Sequence, residues 1–200
     1  LSSDLLRITD VLREVDHLAR SDGRAVAGAA DVARAIDAHR RRVSAPRDEE
    51  LDLIRRSVVH VETAGVRCGA VNALVVLGPG SEFEFAMPQR VSARVRLGGG
   101  EVVDIEREAD LGGPMHSKGV LVLHGFLGGR YLPDEQLAMS ASLTFEAGMA
   151  EVDGPSASVA ELVAVLSALA EVPVRQDIAV SGSIGQDGSI NAVGGIGSLA

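Results

Sequence analysis

A serine stands in the segment VDGPSAS, residues 152–158, between a Gly-Pro turn and the first turn of an apolar helix. Gly154 lets the chain approach closely and Pro155 fixes one backbone angle, so that Ser156 opens the helix. The N–H groups of a first helical turn have no partner within the helix, and they are the donors that an oxyanion hole requires. These features are compatible with a nucleophile. On the local sequence alone, however, a serine that only caps the helix is favoured.

Two other motifs of serine and glycine chemistry are absent. The segment GPSAS lacks the final glycine of G-x-S-x-G, so it is not the nucleophile turn of an α/β-hydrolase. The later SGSIGQDGSINAVGG contains no G-x-x-x-x-G-K-[ST], and the only lysine of the chain, Lys118, lies far upstream. The glycines of this tail therefore indicate hairpin turns, and a nucleotide-binding module is poorly supported.

Composition places the chain among globular, non-membrane proteins. Apolar residues make up 46% of 200 residues, which is enough for a core, while a net charge of −9 argues against nucleic-acid binding. The single cysteine, Cys68, excludes an internal disulfide and a cysteine-based zinc site and fits a reducing compartment. No apolar run is long enough for a membrane span and no signal peptide opens the sequence. We expect a cytoplasmic protein.

The spacing of apolar residues changes along the chain from a helical to an alternating pattern, and this change separates the elements that must position Ser156 from the helical segment before them. Residues 1–45 have helical spacing, with a stop at Asp22-Gly23 and a second helix in AADVARAIDAHRRR. Residues 46–56, which include Pro46, read as a linker.

From residue 57 onward the pattern alternates. SVVHVETAGVRCGAVNALVVL predicts two strands around a turn, and RVSARVRLGGGEVVDIERE predicts a hairpin. SKGVLVLHGFLGGRYL predicts a helix, LAMSASLTFE a strand, SASVAELVAVLSALAEV a helix closed by Pro173, and IAVSGSIGQDGSINAV a second hairpin. Because strands and helices do not alternate regularly, the fold class is α+β.

The run DGPSAS followed by VPVRQDIAVSGSIGQDGSINAVGG resembles the proteolytic domain of Lon proteases, especially the B-type and Lon-like branches. The segment RVSARVRLGGGEVVDIEREADLGGPMHSKGVLVLHGFLGGRY resembles the B-type pattern upstream of it. Residues 1–45 resemble the small helical lid subdomain of a Lon AAA+ module. The resemblance implies a Lon-type Ser–Lys protease domain over residues 57–200, one that the family continues past this point, preceded by the lid-like subdomain.

The resemblance also implies roles for individual residues. Ser156 matches the catalytic serine of the family motif DG-[PD]-SA, and Asp153, Gly154 and Ala157 match its neighbours. Ser181 stands where the family usually has a threonine that hydrogen-bonds the catalytic lysine, and a serine hydroxyl can do the same. Family members use a Ser–Lys dyad, in which a neutral lysine accepts the serine proton.

The dyad lysine is missing from its expected position. The family places it just past the GG pair, in G-G-x-[KN]-E-K, and the corresponding residue here is Leu199 in GGIGSLA. Three explanations compete: the end of this sequence differs from the natural one, the natural protein has lost the lysine, or Lys118 replaces it. We favour the first, with an active natural peptidase and an inactive 200-residue chain.

Two histidines lie near Lys118 in the sequence. His116 and His124 invite a metal site, but no third ligand has suitable spacing, so core or surface roles are favoured and we expect no metal. His116 is a candidate for a supporting position near the site. Lys118 resembles a recurrent family residue outside the dyad, and a surface role is favoured because a general base must reach the hydroxyl.

The function implied by the resemblance is an endopeptidase that degrades unfolded or damaged proteins through an acyl-serine intermediate. The family further implies a ring of six subunits and ATP dependence from an upstream AAA+ module, so ATP and Mg²⁺ are not expected in this chain. The alternative is a non-catalytic assembly or binding module on the same fold, with Ser156 as a helix cap.

Overall fold

The computed structural model describes residues 5–77, 84–131, 134, 138–146 and 152–194. The chain divides into two compact units, Leu1–Asp52 and Leu53–Ala200. The first unit is helical, as predicted: α1 spans Leu5–Ser21, and α2 begins at Ala29 and ends at Arg55. Helix α1 ends at the predicted stop, where Gly23 has a φ of 74° that glycine adopts without steric cost.

Charged pairs and a few buried apolar side chains stabilise the first unit. Val15 and Ala19 of α1 and Ala35 of α2 are buried. The Arg24 guanidinium donates to both oxygens of Asp31, at 2.6 and 2.7 Å, and the Gly28 N–H donates to the same carboxylate at 2.9 Å. These bonds secure the start of α2, where an acidic side chain also complements the helix dipole.

The segment predicted as a linker is helical over most of its length. Helix α2 passes through Pro46 and ends at Arg55, whereas the sequence predicted a linker at 46–56. A proline inside a helix removes one backbone hydrogen bond, but the arginine and acidic residues around it have adequate helix propensity. The composition change in this region therefore marks an exposed helical face and does not break the helix.

The second unit contains nine strands, three helices and a single 3₁₀ turn within the described residues. Its strands are β1 Val66–Arg67, β2 Ala70–Leu77, β3 Phe85–Leu97, β4 Val102–Asp104, β5 Met139–Phe145, β6 Val174–Arg175, β7 Ala179–Val180, β8 Ser183–Ile184 and β9 Ile190–Asn191. Its helices are α3 Ile105–Glu108, α4 Pro114–Tyr131 and α5 Ser158–Ala170, and the 3₁₀ turn is Pro155–Ala157. The mixture confirms the α+β class.

The main sheet has the strand order β4-β5-β3-β2-β7. The predicted hairpin between β3 and β4 is wrong, because β5 lies between them, antiparallel to β3 and parallel to β4. The cause is the crossover through α4, which returns the chain parallel to β4 and places β5 in the middle. The hairpin predicted at the end of the chain is confirmed by the antiparallel pairing of β8 and β9.

The core lies between one face of the sheet and the helices α4 and α5. Alternate side chains of β3 and β5 point into it, in agreement with their alternating sequences. Its buried members include Val91, Ala93, Leu143 and Phe145 from the sheet, Leu123 and Leu127 from α4, and Ala160 and Val165 from α5. This packing positions α4 and α5 against the sheet.

The strand predicted at residues 57–61 is absent, and that segment is irregular. Directly after this segment, a side chain of β2 replaces strand pairing: the Asn72 amide donates to the carbonyl of Glu62 and to that of Gln176, each at 2.8 Å. Buried side-chain amides thus substitute for strand pairing where β2 meets this segment.

A pH prediction follows from Glu62. Hydrogen bonds from Arg67 at 2.8–2.9 Å lower the pKa of Glu62 to about 2. A depressed folded-state pKa contributes stability above the unfolded value of about 4.3 and loses it as the pH falls toward 2. We therefore expect the melting temperature of the parent protein to fall more between pH 5 and pH 2 than that of Glu62→Gln.

The matched control is Glu108→Gln, which removes an exposed carboxylate paired with its neighbour Arg107 at 2.8 Å. Exposed pairs of this kind contribute little, so its acid profile is expected to follow the parent. Identical acid profiles for the parent and Glu62→Gln would contradict the prediction.

No helix in the described part of the chain has the length and apolar character needed to cross a bilayer.

Candidate active site around Ser156

Ser156 lies at the centre of the 3₁₀ turn that leads into α5. Residue Val152 forms a parallel bridge with Gly112, after which Gly154 adopts a φ of 100° and turns the chain into the 3₁₀ turn. Ser156 is half-buried, between the half-buried Pro155 and the buried Ala157. The predicted combination of a glycine-permitted turn followed by a helix start is present.

The helix-cap interpretation of Ser156 is not supported by the geometry. The N-cap residue of α5 is Ala157 and that of the 3₁₀ turn is Gly154, and neither end has a side-chain cap bond. Ser158 makes the local side-chain bonds instead. Its hydroxyl donates to the Pro155 carbonyl at 2.8 Å and accepts from the Ile184 N–H at 3.0 Å.

The backbone of Ser156 is held by the segment 181–184. The Gly182 N–H donates to the Ser156 carbonyl at 2.8 Å, and the Val159 N–H donates to the Gly182 carbonyl at 3.2 Å. The Ser181 hydroxyl lies 3.5 Å from the same Ser156 carbonyl. Ser181, predicted to support a lysine, thus faces the backbone of the candidate nucleophile, and the Ser181–Gly182 segment anchors the turn.

Ser156 borders a cavity of about 490 Å³. The cavity is walled mainly by small and branched apolar side chains. Its lining residues are Val75, Val76, Glu84, Val152, Asp153, Gly154, Pro155, Ser156, Ala157, Ser183, Ala192, Val193 and Gly194. A volume of this size accommodates a few residues of an extended peptide beside the serine hydroxyl.

Asp153 connects the Ser156 turn to the start of α4. Its Oδ1 accepts the N–H groups of Met115 and His116, at 3.0 and 3.2 Å. Bonds from the backbone N–H groups of Gly154, and then of His116 and Met115, hold the pKa of Asp153 below its usual value. The Asp153 carboxyl group lies so close to the backbone of Gly113 that a Cβ at Gly113 would be only 2.5 Å from it. Asp153 therefore caps a remote helix as well as preceding the serine.

No lysine lines the cavity among the described residues. Lys118 is exposed on α4 and is not one of the lining residues. Leu199, at the position where the family has its lysine, lies outside the described residues. The structure therefore brings Ser156, Asp153, Gly154, Ala157 and Ser181 together and leaves Lys118 apart.

His116 is buried behind the turn in a cluster of acidic side chains that sequence reasoning missed. Its Nε2 lies 3.2 Å from Asp104 Oδ1, and its Nδ1 lies 3.5 Å from Glu161 Oε1. Phe145 contacts the ring edge-on, with the centroids 5.8 Å apart. Nearby, Glu106 Oε1 accepts the Phe145 N–H at 2.7 Å. The one available signal was the acidic run at the end of the short strand in EVVDIERE.

Burial and charge act in opposite directions on this cluster. Burial alone would lower the pKa of His116, but the neighbouring Asp104 and Glu161 outweigh it and raise the pKa. Burial also works against ionisation of Asp104, whose pKa is nevertheless lowered by the hydrogen bond to His116. Burial raises the pKa of Glu161 to about 7. His124, the other histidine considered, contacts the Gly100 carbonyl at 2.8 Å, apart from these groups.

Comparison with known proteins identifies both parts of the chain. Residues 133–199 match the Lon protease (S16) C-terminal proteolytic domain, and residues 1–42 match the archaeal LonB AAA+ ATPase LID domain. A putative Lon protease homolog of Escherichia coli K12 is 48% identical over 146 residues, which cover 72% of this chain and 25% of that protein. An archaeal Lon protease of Pyrococcus abyssi is 30% identical over 142 residues, 68% of this chain and 13% of that protein. The chain spans a quarter or less of these relatives.

Proposed function

We propose that this chain, which belongs to the Lon protease family, supplies the proteolytic part of a serine endopeptidase that degrades unfolded proteins. The observation that carries the proposal is the placement of Ser156. The residue is half-buried on a 3₁₀ turn, borders a peptide-sized cavity, and has its backbone fixed by the Gly182 N–H at 2.8 Å. A preorganised serine at a helix start is what acyl transfer requires.

The chemistry assigned to this site is a two-step acyl transfer. Ser156 Oγ attacks the carbonyl carbon of the substrate peptide, its proton passes to a base, and N–H groups of the first helical turn stabilise the oxyanion. The C–N bond then breaks, the amine leaves with a proton, and the acyl group remains on Ser156. Water hydrolyses the ester and restores the serine.

We infer that the base is a lysine that this sequence does not place in the cavity. Lys118 is exposed and does not line the cavity, so it is poorly placed to accept the Ser156 proton. The family position of the base is occupied by Leu199. A serine hydroxyl without a base is a weak nucleophile, so we propose that the 200-residue chain has little or no peptidase activity.

The remaining proposals concern the whole protein. We propose that ATP hydrolysis in an AAA+ module drives substrate unfolding, since residues 1–42 match a lid domain of such modules. ATP and Mg²⁺ would bind there, and no residue of this chain is assigned to them. We also propose a six-subunit ring that encloses the Ser156 sites, in the cytoplasm, which spares folded proteins from cleavage.

A non-catalytic assembly or binding module is the second candidate. The observation that favours it is the lack of a lysine among the described residues that line the cavity. It predicts binding of unfolded chains without cleavage. The two candidates therefore differ in a single measurable property of the natural protein, which is turnover of a bound substrate.

Casein degradation tests these proposals. The 200-residue chain is expected to leave casein intact, while the whole natural protein with ATP and Mg²⁺ is expected to cleave it to peptides. Gel electrophoresis measures the loss of intact casein in both reactions. Robust cleavage by the 200-residue chain that is lost in both Ser156→Ala and Lys118→Ala would overturn the assignment of the base. Intact casein with the whole protein would favour the binding module.

A further inference from the structure

The acidic cluster behind Ser156 has the composition of a metal site. Asp104 at the end of β4, Glu106 in α3, His116 in α4 and Glu161 in α5 are all buried, each exposed by 6% or less. One oxygen of Asp104, one oxygen of Glu106 and one ring nitrogen of His116 lie within 4.8 Å of one another. Three separate elements, β4, α3 and α4, therefore deliver ligand-type atoms to one point in the interior, and Glu161 of α5 contacts the far side of the imidazole ring.

The charges of this cluster do not balance. Three carboxyl groups face a single imidazole, and buried carboxylates are costly unless a cation or a proton compensates them. The nearest arginine in sequence, Arg107, is nearly half-exposed and pairs with Glu108 at 2.8 Å. A divalent cation would neutralise the excess within the cluster.

Two buried oxygens of the cluster have no hydrogen-bond partner among the described residues. They are Asp104 Oδ2 and Glu106 Oε2. Their companion oxygens are used: Asp104 Oδ1 contacts His116 Nε2, and Glu106 Oε1 accepts from the Thr144 hydroxyl at 2.9 Å and from the Phe145 N–H. Oδ2 also lies 3.2 Å from Nε2, but without hydrogen-bond geometry. Unpartnered buried oxygens require an explanation, which is either a proton shared between the carboxyl groups of Asp104 and Glu106 or an ion bound by both.

The second ring nitrogen of His116, Nδ1, faces another carboxyl group, that of Glu161. Glu161 Oε1 lies 3.5 Å from Nδ1, on the opposite side of the ring from Asp104. A carboxylate at one ring nitrogen holds the proton there and directs the lone pair of the other nitrogen outward. Nε2 faces the side that Asp104 and Glu106 occupy, and a bound cation would replace its present contact with Asp104 Oδ1.

We propose that Asp104, Glu106 and His116 bind one divalent first-row metal ion, with Glu161 orienting the imidazole. One imidazole and two carboxylates suit a divalent ion such as Zn²⁺ or Mn²⁺, and the burial of all three ligands indicates an ion that stabilises the fold. The ion would join β4, α3 and α4. Because the His116 N–H also donates to Asp153, it would in addition stabilise the turn that carries Ser156. The inference does not depend on the proposed peptidase activity.

Zinc titration of the whole natural protein, prepared without an affinity tag and stripped with EDTA, tests the site. We expect one Zn²⁺ per chain by calorimetry and elemental analysis, and a melting temperature that rises with Zn²⁺ and falls again with EDTA. Glu106→Gln is expected to weaken binding at least ~100-fold, and Glu161→Gln roughly 10- to 100-fold, as for residues that orient a ligand.

His124→Gln is the matched control, since His124 lies on the same helix but contacts a backbone carbonyl, and its titration is expected to equal that of the parent. The proposal is overturned if the stripped parent takes up no stoichiometric Zn²⁺ or Mn²⁺, which would mean that shared protons balance the cluster. It is also overturned if Glu106→Gln remains folded by circular dichroism and binds Zn²⁺ as tightly as the parent does. If Glu106→Gln fails to fold, the comparison of Zn²⁺ uptake by the parent and by Glu161→Gln tests the proposal instead.

Discussion

Replacing Ser156 by alanine in the whole natural protein is expected to lower kcat for casein hydrolysis by at least ~10³-fold. The Ser156 hydroxyl forms the acyl-enzyme in the proposed mechanism. Ser156 is half-buried, and Ser158 makes the structural hydroxyl bonds of this turn. The substitution should therefore change the free energy of unfolding by no more than about 0.5 kcal/mol.

Ser183→Ala is the control for this loss, because Ser183 lines the same cavity and has no role in the proposed chemistry. Initial rates of casein cleavage and thermal melts of both variants, measured side by side, separate catalysis from folding. Activity within a few-fold of the parent in Ser156→Ala would remove the nucleophile assignment. A loss of equal size in Ser183→Ala would show that the assay reports cavity shape instead.

Local patterns predicted the elements whose contacts are local. Helix α5 was evident from its apolar run and Pro173, and the β8–β9 hairpin from its Gly-Gln-Asp-Gly turn, because both depend on neighbouring residues. The pairing of β3 could not be read in this way. Its partner β5 comes after the whole of α4, and no turn signal reports a strand that arrives by a crossover.

The same distinction between local and long-range contacts applies to the candidate site. Ser156, Asp153 and Gly154 are adjacent in sequence, so a motif could indicate them together. The bond from the His116 N–H to Asp153 joins residues far apart in the chain, and so does the contact of His116 with Glu161. Without the fold, Asp104, Glu106 and Glu161 are three ordinary acidic residues among 28, and only their burial around His116 distinguishes them.

The second large effect is expected from Ser158→Ala, a change next to the nucleophile that removes no reacting group. The Ser158 hydroxyl joins the Pro155 carbonyl to the Ile184 N–H, so it ties the 3₁₀ turn to β8. Alanine leaves the buried Ile184 N–H without an acceptor, at a cost of about 1–3 kcal/mol in unfolding free energy. The turn also loses one of its anchors, and we expect kcat to fall roughly 10- to 100-fold through misplacement of Ser156 Oγ.

Ser167 provides a matched comparison at the other end of α5. Its hydroxyl donates to the Val172 carbonyl at 2.6 Å and accepts the Gly69 N–H at 2.9 Å, so Ser167→Ala removes the same pair of bonds from a buried position. Denaturant unfolding should show similar destabilisation in both variants, while only Ser158→Ala loses kcat. Equal losses of kcat would mean that general destabilisation, and not the anchoring of the Ser156 turn, limits turnover. An unchanged kcat in Ser158→Ala would mean that the bonds from the Gly182 segment alone hold the nucleophile in place.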